Sequence, residues 1–284
     1  MDYQAMVPSY ESLDTKSLTF YHLLSLALIQ GITEFLPISS SGHLILLPSF
    51  TNFPDQGLLI DVSVHVGTLL AVIIYFFRDS LSILKGFSDL ATGNRHSVPA
   101  QLTKFLIWAT IPVIILGLIL KITDIIDLLR NIKVIGWTMI IFGIFLYLAD
   151  RFSFSKKINL NYSIKEALIM GLWQSAALIP GTSRSGATIT AARILGYKRK
   201  SAARIAMLMS IPTILASGSL EIIDVWHKVD FNHFNDAIIV ICLSFIFAFL
   251  TLTIMMRLLN SISFTPYVIY RILLGVLLLA IAYN

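Results

Sequence analysis

The sequence has few charged residues and almost no cysteine, and both shortages narrow the class of protein. Asp, Glu, Lys and Arg make up 13% of the 284 residues, whereas a soluble globular domain carries about twice that share. The single cysteine, Cys242, excludes a disulfide framework and a cysteine-ligated metal site. The first sixteen residues are polar and lack the basic stretch and cleavage site of a signal peptide, so none is expected.

Long apolar runs dominate the rest of the chain, which is 56% hydrophobic. The runs are continuous rather than alternating, which predicts an all-α polytopic membrane protein embedded in the lipid bilayer. The net charge of +5 then indicates basic cytoplasmic loops, and no nucleic-acid partner is expected. The runs cover residues 18–31, 57–77, 102–120, 132–149, 163–179, 203–220, 237–258 and 267–283. Two further stretches, 35–49 and 184–196, are too short and too polar to span a membrane.

The charges of the loops predict how the chain crosses the membrane. Basic loops at 78–104, 150–165 and 193–204 are expected in the cytoplasm, and the acidic segment 221–236 outside. The runs between the second and third basic loops must therefore enter the membrane and turn back as a re-entrant hairpin. A similar hairpin formed by 18–31 and 35–49 would enter from outside. The prediction is about six membrane-spanning helices and two re-entrant helical hairpins, with the N-terminus outside.

An internal repeat relates the two predicted hairpins. A shift of 144 residues aligns Gln30 with Gln174, Ser39 with Ser183, Ser41 with Ser185 and Gly42 with Gly186. Because the two copies enter from opposite faces, they predict an inverted-topology repeat whose broken helices meet near the midplane. We expect a polar N-terminal segment at 1–17 and a single membrane domain at 18–284. Its repeats would cover about 18–149 and 163–284.

Each hairpin turns at a polar tip that suits a phosphate group. Ser39, Ser40 and Ser41 follow Pro37 in the first tip, and Ser183 and Arg184 follow Pro180 in the second. A restarting helix offers free N–H groups and the positive end of its dipole to an anion. The planar guanidinium of Arg184 binds phosphoryl oxygens in pairs. The spacing of a nucleotide-binding P-loop is absent, so no nucleotide is implied.

The first tip also carries acid–base groups at membrane depth. His43 is a candidate base, acid or nucleophile toward phosphorus. Glu34 is a candidate to orient that histidine, position water or hold a metal ion, and Gln30 lies one helical turn before it. Such ionisable residues are rare inside membranes and mark function by default. The sequence therefore predicts a site that hydrolyses a phosphoanhydride between the two tips.

Other polar residues have simpler interpretations. Asp61 and His65 are four residues apart and form either a structural pair or a support for the site. Arg193 and the basic residues at 198–204 are expected to anchor the cytoplasmic surface. Arg271 is expected to be an interface or packing residue.

Two stretches resemble the signature segments of a known family. QGITEFLPISSSGHLILLPSF and PGTSRSGATI look like those of the bacterial undecaprenyl-diphosphate phosphatases of the bacitracin-resistance type, and DVSVHVGTLLAVIIYF and PYVIYRILLG are similar to that family too. The resemblance implies hydrolysis of undecaprenyl diphosphate to undecaprenyl phosphate and inorganic phosphate. That reaction recycles the lipid carrier of peptidoglycan synthesis in the bacterial inner membrane and confers bacitracin resistance. It also implies a divalent metal ion, Mg²⁺ or Ca²⁺, with a homodimer as the candidate assembly.

The resemblance assigns roles to residues that match the signatures. The E/Q-x-x-x-E motif falls on Gln30 and Glu34, with Glu34 as the metal ligand. Because Gln30 stands where many members have Glu, a metal held by two carboxylates is not expected here. The catalytic Ser and His fall on Ser40 and His43, and the catalytic Arg falls on Arg184 beside Ser183. Ser40, His43 and an activated water all remain candidate nucleophiles. Family context favours a site opening to the outer, periplasmic side.

A transporter or flippase is the alternative that the sequence leaves open. Inverted repeats with broken helices at the midplane are common in transporters. Arg184 would then bind a polyprenyl phosphate or a small anion, and Glu34 and His43 would relay protons. Release of phosphate in detergent, where there are no two sides, distinguishes the enzyme from the transporter.

Overall fold

The computed structural model describes residues 19–44, 57–123, 125–154, 157–158, 163–225 and 234–283. Within these ranges the chain forms helices joined by turns and short loops, and its one β feature is an isolated bridge between Lys157 and Tyr197. In chain order the helices are α1 Phe20–Thr33, α2 Ser40–Leu44, α3 Gly57–Tyr75, α4 Phe77–Ala91, α5 Val98–Ile122, α6 Ile125–Leu129, α7 Ile132–Phe152, α8 Ile164–Ser175, α9 Arg184–Ile194, α10 Arg199–Val225, α11 Phe234–Leu258 and α12 Thr265–Tyr283. The predicted polar segment 1–17 and much of the predicted outer segment 221–236 lie outside the described residues.

Six of these helices are long and apolar enough to cross a membrane: α3, α5, α7, α10, α11 and α12. The prediction of an all-α polytopic membrane protein with about six spans is therefore confirmed. The helices α1 and α8 are shorter and are each interrupted before α2 and α9. That these two broken pairs are re-entrant stays a prediction.

The two halves of the chain repeat one arrangement of helices. The helices α1 and α8 begin 144 residues apart, at Phe20 and Ile164, and α2 and α9 begin 144 residues apart, at Ser40 and Arg184. Each broken helix also packs against the other half, with α1 on α11 and α8 on α5. The reciprocal packing places the interruption of each half beside the interruption of the other.

The pair α7 and α12 shows how the halves are oriented. A side chain at Gly136 of α7 would meet Leu279 of α12, and one at Gly143 would meet Arg271. The residue numbers of the contacting positions rise along α7 and fall along α12, so the two helices run antiparallel. An inverted-topology repeat requires this orientation of its equivalent helices.

The helix α4 occupies much of the region that the sequence analysis treated as a loop, 78–104. Phe77, Leu81 and Leu84 recur at i, i+4 and i+7, so they form one apolar stripe, and all three are exposed. Charged residues between them kept this segment below the hydropathy of a membrane span. The predicted loop thus contains a short amphipathic helix, α4, between α3 and α5. One side of α4 packs against α5.

The core of the bundle lies around α9 and the first half of α10, and it is built from small side chains. Ala191 and Ala192 of α9 and Ala202 and Ala203 of α10 are completely buried. Such residues let helix backbones approach closely, as in other membrane helix interfaces. Large apolar side chains such as Ile115 and Leu273 point outward instead. This pattern leaves an apolar belt for lipid and a tightly packed centre that holds the two interruptions.

Candidate active site

The tips of the two broken helices touch through reciprocal hydrogen bonds. The Ser41 hydroxyl accepts a hydrogen bond from the N–H of Gly181 at 2.9 Å. The Ser185 hydroxyl donates to the carbonyl of Leu36 at 3.0 Å. Ser185 is the equivalent of Ser41 in the second half, and Leu36 lies one residue from the equivalent of Gly181. Each tip thus uses the same serine to hold the backbone of the other.

Both tips bend at a serine with a positive φ angle. The φ angles are 74° at Ser39 and 68° at Ser183. Such a conformation costs a non-glycine residue about 1–3 kcal/mol and concentrates at functional sites. The hydroxyl of Ser39 lies 3.0 Å from that of Ser41, and the hydroxyl of Ser183 lies 3.2 Å from that of Ser185. The strained bends therefore face two pairs of serine hydroxyls toward the junction.

Glu34 and Arg184 join the halves by an ion pair. Arg184 Nη2 donates to Glu34 Oε1 at 2.5 Å, and Arg184 Nη1 reaches the carbonyl of Ser210 at 3.3 Å. Only 9% of the Glu34 side chain and 16% of the Arg184 side chain are exposed. In such a setting the attraction between the charges is strong because water screens it little.

Gln30 connects Glu34 to α3. Its Nε2 lies 2.7 Å from Glu34 Oε2 and 3.0 Å from His65 Nε2. His65 Nδ1 lies 2.8 Å from the carbonyl of Asp61, which can only accept, so Nδ1 carries the proton and Nε2 accepts from Gln30. Both amide hydrogens are then used, and the buried Gln30 Oε1 has no hydrogen-bond partner among the described residues. His65 therefore supports the site, and it contacts the Asp61 backbone rather than its carboxylate.

His43 is held in one tautomer by its neighbours. Its Nδ1 lies 2.8 Å from the carbonyl of Ser39, so Nδ1 is the donor. Its Nε2 lies 2.6 Å from the hydroxyl of Tyr270, whose ring stacks on it at 5.5 Å. Burial lowers the pKa of His43, and the hydrogen bond to Ser39 opposes that shift in part. In the neutral ring the proton is therefore on Nδ1 and the basic nitrogen is Nε2.

Ser40 is the first residue of α2 and lies one helical turn before His43. Within the described part of the chain its side chain makes no hydrogen bond, in contrast to Ser39 and Ser41. The hydroxyl is half-buried. Ser40 thus offers an uncommitted oxygen at the N-terminal end of α2.

Arg271 lies between the two tips, completely buried. Its Nη2 donates to the carbonyls of Gly181 at 3.1 Å and Thr182 at 2.7 Å, and its Nη1 reaches the carbonyl of Pro37 at 3.4 Å. Arg271 was expected to be an interface or packing residue. The structure adds that its guanidinium donates hydrogen bonds to both tips. No carboxylate partner is found for it among the described residues.

An apolar groove of about 460 Å³ opens beside His43. Leu28 and Ile32 of α1 form one wall, and Tyr267 and Tyr270 of α12 form the other. Exposed apolar side chains surround the groove, so it faces the region where lipid chains lie. A long hydrocarbon chain fits such a lining, with its polar head at the imidazole.

Glu34 is the carboxylate of the described site to which a metal ion could bind. In the described ranges no group of three or more His, Cys, Asp or Glu side chains converges, so the protein alone forms no metal cage there. Mg²⁺ is commonly held by one or two carboxylates together with substrate phosphates and water. The partnerless Gln30 Oε1 adds a neutral oxygen beside that carboxylate.

The structure brings the predicted residues together, with one change in their partners. Hydrogen bonds link Gln30, Glu34 and Arg184, and the four serines Ser39, Ser41, Ser183 and Ser185 line the junction. No hydrogen bond joins Glu34 to His43 in the described residues, so Glu34 does not orient that ring. Tyr270 does so instead, and sequence reasoning missed it because its partner is 227 residues away.

Part of the basic segment 193–204, which was predicted to anchor the cytoplasmic surface, is buried instead of exposed. Arg193 is only 2% exposed and forms an ion pair with Asp150 at 2.9 Å. Lys198 and Lys200 remain exposed, as expected of an anchor. One end of the anchor is therefore part of the packed interior.

Comparison with known proteins places this chain in a family. Residues 23–277 match the family described as bacitracin resistance protein BacA. A protein of a Jannaschia species, named undecaprenyl-diphosphatase, is 58% identical over 266 residues, which cover 94% of this chain and 100% of the relative. Proteins of the same name from Roseobacter denitrificans and Ruegeria pomeroyi are 54% and 55% identical, with the same coverage. The chain therefore belongs to the bacitracin resistance protein BacA family.

Proposed function

We propose that this chain is an integral membrane phosphatase that hydrolyses undecaprenyl diphosphate to undecaprenyl phosphate and inorganic phosphate. The observation that carries the proposal is the junction of the two tips, where Glu34 pairs with Arg184 beside two helix N-termini. The name of the relatives supports the same reaction. The product is the lipid carrier of peptidoglycan synthesis, and its recycling gives resistance to bacitracin.

The serines of the two tips and Arg184 bind the diphosphate. The Arg184 guanidinium and the Ser183 hydroxyl clamp the terminal phosphate, and Ser39 and Ser41 hold the other tip around it. The N–H groups at the start of α2 and α9 add their partial positive charges. The isoprenoid chain lies in the apolar groove beside His43.

The chemical step belongs to Glu34, His43 and Ser40. The nucleophile, Ser40, His43 or an activated water, attacks the terminal phosphorus, the bridging P–O bond breaks, and undecaprenyl phosphate leaves with the electron pair. If Ser40 or His43 attacks, water then hydrolyses the phosphorylated side chain and releases inorganic phosphate. In the neutral ring Nδ1 donates to Ser39, so Nε2 is the basic nitrogen, and it takes or returns the proton when Ser40 or water attacks. Rapid quenching with substrate labelled on the terminal phosphate would find a phosphorylated Ser40 or His43, and its absence would assign the attack to water.

A divalent cation, Mg²⁺ or Ca²⁺, would bind at Glu34, with Gln30 Oε1 as a second protein oxygen. Bound there, it would neutralise charge on the phosphoryl oxygens. Arg184 now occupies one oxygen of that carboxylate and Gln30 the other, so both side chains must share Glu34 with the ion.

We place the protein in the bacterial inner membrane as a multi-pass protein. The site opens to the periplasmic side, where spent carrier is produced. The loop charges support only the predicted crossing of the chain, and the side to which the site opens rests on the family context. A homodimer remains the candidate assembly.

The first experiment measures phosphate release from undecaprenyl diphosphate by the purified protein in detergent, with and without a chelator. Wild-type protein should release phosphate, and Arg184→Ala and His43→Ala should lose at least about 100-fold in kcat. Arg95→Ala, an exposed arginine away from the tips, is the matched control. Release that persists in well-folded Arg184→Ala would overturn the proposed site.

A transporter or flippase is the second candidate, favoured by the two broken helices in reciprocal halves. Wild-type protein that folds but releases no phosphate from several polyprenyl diphosphates would favour it. Flux of labelled polyprenyl phosphate across liposomes would then be the deciding measurement.

A further inference from the structure

A second, larger cavity lies away from the tips. It has a volume of about 960 Å³ and is bounded by the ends of α3, α7, α9 and α11 and by the start of α10. It contains no residue of the candidate active site. Arg184 begins α9 and Arg193 lies nine residues further along it, so about 14 Å of helix separates the two regions.

The two carboxylates in this cavity are already engaged. Asp150 accepts hydrogen bonds from Arg199 Nε at 2.9 Å and from the N–H of Phe264 at 3.3 Å, and it pairs with Arg193. Asp79 pairs with Arg204. The acidic side chains of the cavity are thus balanced by three arginines.

Three further cations line the same cavity. Arg151, Lys198 and Lys200 are exposed, and within the described ranges none of them contacts a carboxylate. Lys198 and Lys200 flank Arg199, the first residue of α10. The positive end of a helix dipole disfavours cations at this position and favours an anion. The cavity therefore has an excess of positive charge that nothing in the described chain neutralises.

Part of the cavity wall is apolar. Phe76 of the α3–α4 junction and Met256 and Leu259 at the end of α11 contribute to it. The cavity also lies where membrane-spanning helices end, at the depth of lipid headgroups. A small inorganic anion would use the cations alone, whereas a phospholipid would use the cations and the apolar wall together. Basic pockets between helices at the cytoplasmic surface bind anionic headgroups in this way.

We propose that this cavity binds the phosphate of an anionic phospholipid from the cytoplasmic leaflet, with the acyl chains against the apolar wall. The site is independent of the hydrolytic function, since it shares no residue with the tips. The lipid would neutralise the basic ends of α7, α9 and α10 and so stabilise their packing.

The test is lipid binding to the full-length protein in neutral detergent, measured by native mass spectrometry with dioleoylphosphatidylglycerol and dioleoylphosphatidylcholine. The variant Arg151→Gln/Lys198→Gln/Lys200→Gln removes three exposed cations from the cavity. The matched control, Arg78→Gln/Lys85→Gln/Arg95→Gln, removes three exposed cations from the basic region 78–95, outside the cavity. Both variants change the net charge equally.

Wild-type protein should bind phosphatidylglycerol roughly tenfold more tightly than phosphatidylcholine. That preference should vanish in the cavity variant and remain in the control. Equal loss in both variants would overturn the proposal in favour of diffuse surface attraction. Displacement of the lipid by millimolar inorganic phosphate, with binding of phosphate at the lipid's own affinity, would overturn the lipid as the occupant.

Discussion

Glu34 and Arg184 are 150 residues apart in the chain, and their side chains form one nearly buried ion pair. Each residue belongs to a different half of the repeat. In the second half the position of Glu34 is taken by Leu178, and that of His43 by Ala187. The first half therefore supplies the acid–base groups and the second supplies the cation, so neither half contains a complete site.

The ion pair predicts different results for activity and for stability. Glu34→Gln or Arg184→Gln alone leaves one buried charge unpaired and should lower the free energy of unfolding by about 3 kcal/mol. The double variant Glu34→Gln/Arg184→Gln should regain most of that stability and none of the phosphatase activity. Unfolding in detergent and phosphate release are the two measurements.

Arg204→Gln is the control for this pair. Arg204 contacts Asp79, and its side chain is 46% exposed, so the variant should alter stability and activity little. A double variant of Glu34 and Arg184 that hydrolyses substrate at the wild-type rate would contradict the assignment.

Tyr270 predicts a change in the pH profile. Burial lowers the pKa of His43 below its ordinary value of 6.5, so kcat/KM should rise with pH through that lowered pKa and then level off, because the neutral base is the active form. Tyr270→Phe removes the hydroxyl that donates to Nε2 and stabilises the neutral ring. The pKa of the rising limb should therefore increase, and kcat should fall roughly tenfold.

Tyr267→Phe provides the comparison, since Tyr267 lies on the same helix and lines the same groove. It should leave the rising limb in place. An unchanged limb in Tyr270→Phe would mean that the hydroxyl does not act on His43.

Gly181 predicts how closely the second tip must approach α7. Its φ angle is 88°, and an added Cβ would lie 2.6 Å from the carbonyl oxygen of Ile135, apart from a still closer contact with Thr138. Gly181→Ala should therefore lower the free energy of unfolding by about 3 kcal/mol. Gly93 has a similar φ of 85° and open space around it, so Gly93→Ala should cost only about 1 kcal/mol. Equal losses in the two variants would show that backbone conformation, rather than crowding, requires the glycine.

Gln30 predicts a change in the response to metal. In Gln30→Glu a carboxylate would face Glu34, whose Oε2 now accepts from the amide at 2.7 Å. Two like charges at that distance are stabilised by a divalent cation between them. The Mg²⁺ concentration for half-maximal activity should fall roughly tenfold. The control is Gln174→Glu, which makes the same change at the equivalent position of the second half. An equal fall in the required Mg²⁺ concentration there would mean that the ion does not bind between residues 30 and 34.

Local patterns were sufficient to predict the membrane spans and the tips. A continuous apolar run is helical in lipid whatever its partners, so the six spans lie near their predicted positions. The repeat correctly paired Ser39 with Ser183, and both share the same unusual backbone angle. The polar residues of the tips were identified because burying them without a role would be costly.

Contacts between distant segments were harder to predict. Tyr270 looks like an ordinary residue of an apolar helix, and Arg271 was expected only to be an interface or packing residue. The importance of both depends on α12 passing both tips. The pairing of α7 with α12 that brings them there depends on tertiary packing and not on any local signal. The helix α4 was missed for another reason, because charged and polar residues interrupt its exposed apolar stripe and lower its hydropathy.

The reciprocal serine bonds also affect how the protein is made. Ser41 leaves the ribosome 140 residues before Gly181, whose N–H donates a hydrogen bond to the Ser41 hydroxyl in the folded protein. At about 5–20 residues per second, that interval lasts roughly 7–28 s. Throughout it, the Ser41 hydroxyl and the carboxylate of Glu34 have no partner from the second tip. The nascent first half must therefore be sheltered by water or by the insertion machinery until the second half arrives.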